Sequence, residues 1–261
     1  MCYDVSSGLR ALIKYAKHRH DDPDKIKNLE KQLEVWRIEE HRHFHMNGFQ
    51  HQPLMVFTNE APDKVDFFKW GLIPSWSKDE IAAKTLSNMG LNARVETIFE
   101  KPMFKNGIRN KRCLVYIDGF FEYHHQHQNT YPFYISMKED IPMILAGIWE
   151  SWTSKITGEV INTVGIITTK ANKLMSKIHN NPKLTEARMP AILSKLQQDL
   201  WLRSMDEDLL KNNVSQLLLP FPDDLLKAYT VGKLKGKSAS GDTEDAIKKV
   251  YYEELIGFEN E

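Results

Sequence analysis

A cysteine at the second position is the first residue of this chain with chemistry to offer. Methionine aminopeptidases tolerate small second residues, so loss of Met1 would leave Cys2 as the mature N-terminus, with a thiol and an α-amine on adjacent carbons. Such a 1,2-aminothiol condenses with an aldehyde through nitrogen, then closes a five-membered thiazolidine through sulfur. The closure is intramolecular and is favoured by proximity. The amine matters as much as the thiol. With a pKa of about 7.7–8.0 an α-amine is roughly a fifth to a third neutral near pH 7.4, whereas a lysine near 10.4 is only about 0.1% neutral.

Several polar residues elsewhere could serve such a nucleophile. Glu122 lies past an Asp-Gly turn, between Phe121 and Tyr123. A carboxyl among aromatics is expected to titrate high, as a general acid or base requires; the position also suits an exposed strand end. His179 closes the amphipathic stretch Ala171–Ile178, where an imidazole either shuttles protons or caps the helix. Asn92 suits a turn, or an amide that orients an amine without competing as a base. Arg94 can grip a phosphate with two parallel hydrogen bonds, or pair with Glu96 at the surface. Trp70, Pro74 and Trp76 offer either a packed aromatic cluster or a stacking surface for unpaired bases. Of the two tryptophans, Trp76 is the one expected to be exposed.

The elements that must position these residues follow from periodicity. Leu9, Leu12, Ile13 and Ala16 recur at helical spacing. Asp22-Pro23 gives a cap and a first-turn proline, and Ile26, Leu29, Leu33 and Trp36 continue a narrow apolar stripe. The region from about 10 to 50 is therefore predicted as a helical insertion, its charged part running from Asp22 to His45. From Pro53 to Ile192 short β-branched and aromatic runs take over: Leu54–Phe57, Arg112–Ile117, Phe133–Met137, Met143–Trp149 and Val160–Thr168. Too few helices separate them for a regular parallel alternation, so an α+β fold with a mainly antiparallel, barrel-like core is expected. Ser194 and Gln197 match a capping box opening a long helix with Leu196, Leu200 and Leu209 buried. Lys233–Asp242 is expected to be a flexible loop, and the tail to 261 is left as strand or helix. No repeat or domain boundary is visible, so one domain is expected over 1–261.

Composition narrows the function classes. Lysine plus arginine and aspartate plus glutamate both number 35, giving a net charge of zero. Any nucleic-acid contact must therefore come from a local patch, for which Lys78, Lys84, Lys101, Lys105, Arg109, Lys111 and Arg112 form the densest candidate. Two cysteines cannot build a disulfide framework or a four-cysteine zinc site. His41, His43 and His45, and His124, His125 and His127, lack a fixed second pair of ligands, and no metal is expected. No apolar run follows a charged start, and none is long enough to span a bilayer, so a cytoplasmic protein without membrane contact is expected.

Six further segments accompany Cys2 in order: KWGLIPSW (69–76), NARVET (92–97), RCLVYIDGFFEY (112–123), AGIWE (146–150), TTKAN (168–172), and Ile178-His179 followed by RMPAIL (188–193). Together they resemble the SOS response-associated peptidase (SRAP) family over most of the chain outside the insertion. The resemblance implies a barrel-like SRAP fold and a sensor of abasic sites in single-stranded DNA. That sensor would form a covalent thiazolidine cross-link through mature Cys2, as a monomer and without a cofactor. It assigns catalysis to Cys2, Asn92, Glu122 and His179, and DNA contact to Arg94, Arg188, Trp76 and Trp70. A second use of Cys2, Glu122 and His179 is as nucleophile, orienter and base of a cysteine peptidase that removes Met1. Lyase activity is a further implied possibility, and a purely non-covalent single-stranded DNA module is a third reading. The chain departs from the family at Tyr3-Asp4, where Gly-Arg is usual and where Asp4 is expected to repel phosphate. It also departs at residues 180–187, which separate His179 from Arg188, and at Tyr123, where tryptophan is common.

Overall fold

The structure, a computed structural model, describes residues 2–8, 13, 16, 17, 21–35, 42–139, 141–255 and 258, the side chains of Leu33 and Val35 excepted. In chain order the principal elements are β1 (Asp4–Ser7), α1 (Pro23–Val35), β2 (His43–Asn47), β3 (Pro53–Thr58), β4 (Asp66–Trp70), α2 (Glu80–Met89) and β5 (Asn92–Arg94). There follow α3 (Lys105–Asn110), β6 (Arg112–Ile117), β7 (Gly119–Gln126), β8 (Asn129–Met137), β9 (Met143–Thr153) and β10 (Val160–Lys170). The last are α4 (Lys173–Ile178), β11 (Arg188–Pro190), α5 (Lys195–Leu202), α6 (Glu207–Leu217) and β12 (Leu226–Thr230).

Five strands close on themselves in the order β10-β4-β3-β6-β9, with β9 returning to β10. All of these pairings are antiparallel except β10 with β4. Closure is possible because β9 and β10 are long enough to split their partners: β9 pairs with β6 along its first half and with β10 along its second. The far end of β10 then collects β5, in parallel, and β11. A second, antiparallel sheet runs β12-β8-β7-β1-β2. The expected α+β architecture with a barrel-like, mainly antiparallel core is thus the observed one. Its inner faces are the apolar runs read in the sequence, with Leu54, Val56, Val115, Leu145, Val164 and Ile166 all buried in one cluster.

The N-terminal region needs correction. Asp22 does cap α1, accepting from the Asp24 amide at 2.8 Å. The expected helical character, however, does not extend to His45: His43–Asn47 is a strand paired antiparallel with β1. Its polar residues face partners rather than water, which helical counting could not register. Leu9, Leu12, Trp36 and His41 lie outside the described residues. At the other end, the expected long helix is two, α5 and α6. The capping box of Ser194 and Gln197 is present, but Leu196 and Leu209 are exposed while Trp201, Leu210 and Val214 are buried. The loop 233–242 is tied down, because Asp242 accepts from the Phe44 and His45 amides at 2.6 and 3.0 Å and sits 2.6 Å from His43 Nδ1. Beyond it, among the described residues, come two 3₁₀ turns and a bridge between Val231 and Lys249.

Arg112 also leaves the basic patch. It is buried, and its guanidinium donates to the carbonyls of Ile108, Arg109, Trp201 and Arg203 at 2.6–2.9 Å. A single side chain thereby satisfies the open carbonyls at the ends of α3 and α5. Replacing it by methionine leaves those acceptors without donors, each worth about 1–3 kcal/mol. Arg112→Met is expected to lower the urea unfolding free energy by at least about 3 kcal/mol.

Candidate active site at the buried N-terminal strand

β1 is an interior strand, paired with β7 on one edge and β2 on the other, so the residues just before it are led into the molecule. Cys2 is only 1% exposed. Its backbone is fixed from the barrel side: Asn92 Nδ2 donates to the Cys2 carbonyl at 2.8 Å. Asn92 opens β5, which lies parallel to β10 with Asn92 opposite Ile166. The other end of the amide is spare. Asn92 Oδ1 is buried and accepts no hydrogen bond among the described residues, an arrangement that costs about 1–3 kcal/mol unless another donor arrives.

Trp70 explains why β5 sits where it does. It is wholly buried, and its indole N–H donates to the Leu91 carbonyl at 3.0 Å, one residue before Asn92. The chain then turns at Gly71, whose φ of +117° and close approach to the Ser87 carbonyl admit no side chain. Trp70 is therefore part of the frame and not a stacking surface. Trp76, at 58% exposure, is the tryptophan at the surface.

Glu122 lies in β7, one residue beyond the Phe121–Asp4 pair, and is 6% exposed. One oxygen accepts from the Tyr123 amide at 3.2 Å and the other lies 3.3 Å from His179 Nδ1. Burial pushes its carboxyl up to about 7, because the ionised form is poorly solvated there. His179 caps α4, its amide donating to the Met175 carbonyl at 2.8 Å. Its Nδ1 is 2.9 Å from the Arg188 carbonyl, with the Arg188 amide farther off at 3.4 Å. The shorter contact is satisfied by the tautomer with the hydrogen on Nδ1. Burial drives the imidazole down to about 4, so at neutral pH the histidine is uncharged beside a carboxyl near its midpoint. The Cys2 thiol is likewise pushed up by burial and then by the Glu122 charge.

Asn180, which no motif singled out, and His124 hold the turn bearing His179 in place. The Asn180 side chain imitates a neighbouring strand, accepting from the His125 amide at 2.7 Å and donating to its carbonyl at 2.8 Å. His124 Nδ1 adds a contact to the Lys177 carbonyl at 3.0 Å. His124 and His125 belong to the histidine cluster considered for metal, which here docks the end of α4 onto β7.

Arg188 and Arg94 exchange expectations. Arg188 is buried, paired with both oxygens of Glu96 at 2.8 and 3.0 Å, with Glu186 at 3.2 Å and with the Thr168 carbonyl at 2.7 Å. It cannot reach a phosphate, because every face of its guanidinium is engaged. The ion pair imagined for Arg94 and Glu96 thus belongs to Arg188, and Arg94 is left exposed with no ion pair among the described residues. Asp4 also corrects its expectation. It is buried and faces inward, contacting His45 Nε2 at 2.9 Å, Asn47 Nδ2 at 2.7 Å, the Tyr123 hydroxyl at 3.3 Å and Lys235 Nζ at 3.6 Å. Burial alone would raise its carboxyl, but hydrogen bonds from His45 and Asn47 and the Lys235 charge hold it below the usual range. The charge of Asp4 is thus compensated within the fold.

Tyr3, Asp4, Glu122, Tyr123, His179 and Lys235 line one cavity of about 340 Å³, at the small end of the roughly 300–1,000 Å³ of ligand pockets. A pentose phosphate fits such a space. A buried thiol, a spare amide oxygen, a carboxyl pushed up to about 7 and an uncharged imidazole are groups able to carry out nucleophilic capture assisted by proton transfer.

The sequence profile of the SOS response associated peptidase (SRAP) family matches residues 16–238, and the chain belongs to that family. It is 34% identical over 182 residues to the abasic site processing protein YoqW of Bacillus subtilis, covering 69% of this chain and 75% of that one. It is 32% identical over 143 residues to the abasic site processing protein HMCES of Xenopus tropicalis, covering 48% of this chain and 40% of that protein. A crystal structure of a protein from Bacteroides thetaiotaomicron superposes with a TM-score of 0.78 at 32% identity, covering 96% of this chain and all (100%) of that one. No helix among the described residues is long and apolar enough to cross a membrane.

The raised carboxyl of Glu122 makes a stability prediction. With a folded value of about 7 against an ordinary 4.5, ionisation of Glu122 opposes folding; the cost begins above about pH 4.5 and is complete above about pH 7. Glu122→Gln removes that cost. Its unfolding free energy in urea, relative to the unmodified chain, is expected to rise by about 3 kcal/mol between pH 4.5 and pH 8.

Proposed function

We propose that the chain, after loss of Met1, captures abasic sites in single-stranded DNA as a covalent thiazolidine on Cys2. The observation that carries this reading is the half-used amide of Asn92, whose nitrogen holds the Cys2 carbonyl while its buried oxygen accepts nothing among the described residues. An α-ammonium or α-amine on Cys2 is the donor that would complete it.

The reaction needs only the chain's own groups. Protonated Glu122 gives its proton to the ring oxygen of the closed abasic sugar, and as the sugar opens to its aldehyde the anomeric hydroxyl returns a proton to the Glu122 carboxylate. The α-amine of Cys2 attacks the aldehyde carbon, forming a C–N bond and a carbinolamine. A proton from the carboxyl lets the hydroxyl leave as water, giving an iminium. The thiol then adds to the same carbon, forming the C–S bond and releasing its proton. The sum is aldehyde plus aminothiol giving thiazolidine plus one water. His179, uncharged at neutral pH, hydrogen-bonds the sugar hydroxyl or relays the proton.

The same geometry favours capture over a peptidase mechanism. A cysteine peptidase requires a thiolate made by an adjacent base, whereas here burial and Glu122 both oppose the thiolate. His179 also turns its Nδ1 to a backbone carbonyl. Amine-first capture has no need of a thiolate. The abasic site processing relatives support the DNA-lesion substrate class.

Incubation of the mature chain with abasic single-stranded oligonucleotide is expected to give a product that survives denaturing electrophoresis, and Cys2→Ala none. Equal cross-linking by Cys2→Ala would overturn the proposal. The rate should be bell-shaped in pH. It rises as an α-amine near 7.7–8.0 loses its proton and falls as Glu122, near 7, loses its own. Glu122→Gln is expected to slow capture about 10²–10⁴-fold and to lose the alkaline decline that Glu122 causes.

A further inference from the structure

Tyr3 and Phe49 stand at the edge of the cavity and take no part in the chemistry above. Their rings lie 5.3 Å apart, tilted by 33°. Tyr3, half-buried, lines the cavity with Glu122 and His179, while Phe49 presents 52% of its surface to solvent. Single exposed apolar residues are ordinary. This pair is distinguished by how firmly it is held.

Phe49 sits in a 3₁₀ turn, Gly48–Gln50, that is bonded to Tyr3 itself, one residue before β1. The Gly48 amide donates to the Tyr3 carbonyl at 2.7 Å. The Asn47 side chain accepts from the Phe49 amide at 3.1 Å and donates to Asp4 at 2.7 Å. His51 closes the turn at a φ of +53°, with its ring against the Trp70 carbonyl at 2.7 Å and Asn88 Oδ1 at 3.0 Å. Gly48 rests directly on the core, since a Cβ there would lie 3.1–3.3 Å from the Leu91 and Trp70 side chains. The exposed ring is therefore preorganised, and little ordering cost remains for a ligand that covers it.

Charge around the ring pair selects the ligand. Arg94, exposed and without an ion pair among the described residues, stands two residues along β5 from Asn92, which bonds the carbonyl of Cys2, the neighbour of Tyr3, and Lys235, paired with Asp4 at 3.6 Å, lines the same cavity. A rigid aromatic surface bordered by cations, beside a cavity of sugar size, matches a nucleobase with its phosphates.

We infer that Tyr3 and Phe49 form a base-stacking ledge. It takes the unpaired base of the nucleotide adjoining the abasic residue, with the intervening phosphate on Arg94, and so sets the baseless sugar over Cys2. The inference rests on the abasic-site reading for its substrate. Stacking tolerates any base, because each has a π-face, so the ledge gives register without sequence preference.

The test uses the mature chain and single-stranded oligonucleotides carrying tetrahydrofuran, which cannot open to an aldehyde, with 2-aminopurine on one side or the other. Binding is expected to quench 2-aminopurine on one flank. Phe49→Ala and Phe49→Leu should abolish that quenching and weaken binding about 5- to 150-fold; Phe49→Trp should retain both. Condensation with 2-deoxyribose 5-phosphate, followed by intact mass, should proceed at an unchanged rate in all three variants, because that aldehyde has no base to stack. Unquenched 2-aminopurine on both flanks overturns the ledge, as does undiminished binding by Phe49→Ala. Loss of the small-aldehyde reaction in Phe49→Leu also overturns it, by showing that the ring serves the site itself. Quenching requires no condensation, so a chain that quenches but never condenses sinks the covalent reading and leaves the ledge standing.

Discussion

The candidate site depends on one constraint: the N-terminal strand is held on both edges. β1 lies between β7 and β2, and its entry is fixed by the Asn92 amide from the barrel. A chain terminus is ordinarily frayed, and a nucleophile on a frayed end would lose much of the advantage of fixed geometry. Here Asn92 arrives on β5, Glu122 on β7 and His179 at the end of α4. Each approaches Cys2 or the cavity beside it from a different direction. The barrel and the second sheet therefore meet at Cys2.

Burial sets the charges of this site as well as its shape. Glu122 is pushed up to about 7 and His179 down to about 4, and the Cys2 thiol is moved away from its anion. All three shifts have one first cause, the poor solvation of ions inside the protein. The exception is Asp4. It stays ionised in the same interior because His45, Asn47 and Tyr123 hydrogen-bond it and Lys235 balances its charge. A carboxylate with that many partners is structural: it binds β1 to β2 and to the loop bearing Lys235.

The barrel strands were legible because their inner faces are continuous β-branched and aromatic runs, as in Arg112–Ile117 and Val160–Thr168. The short strands were not. Asp4–Ser7 and His43–Asn47 are polar, and their polar groups are satisfied by partners far along the chain, Asp4 by His45 and His43 by Asp242. Local pattern cannot register such partners. Cys2, Asn92, Glu122 and His179 were selected on ordered motifs; in the fold Asn92 bonds the Cys2 carbonyl and Glu122 lies 3.3 Å from His179. The two residues misplaced, Trp70 and Arg188, are types suited equally to a core and to DNA. Only their burial separates the two uses. Asn180, which docks the His179 turn, carries no motif signal at all.

The interior position of β1 also has a consequence in time. Residues 4–7 are made first, yet one of their two strand partners, β7, ends at Gln126. At about 5–20 residues per second of synthesis, β1 waits on the order of ten seconds for that partner. Once both edges pair, Cys2 is enclosed. On the proposed reading, which requires loss of Met1, an external aminopeptidase would have to act within that interval, so folding itself would set the deadline for maturation.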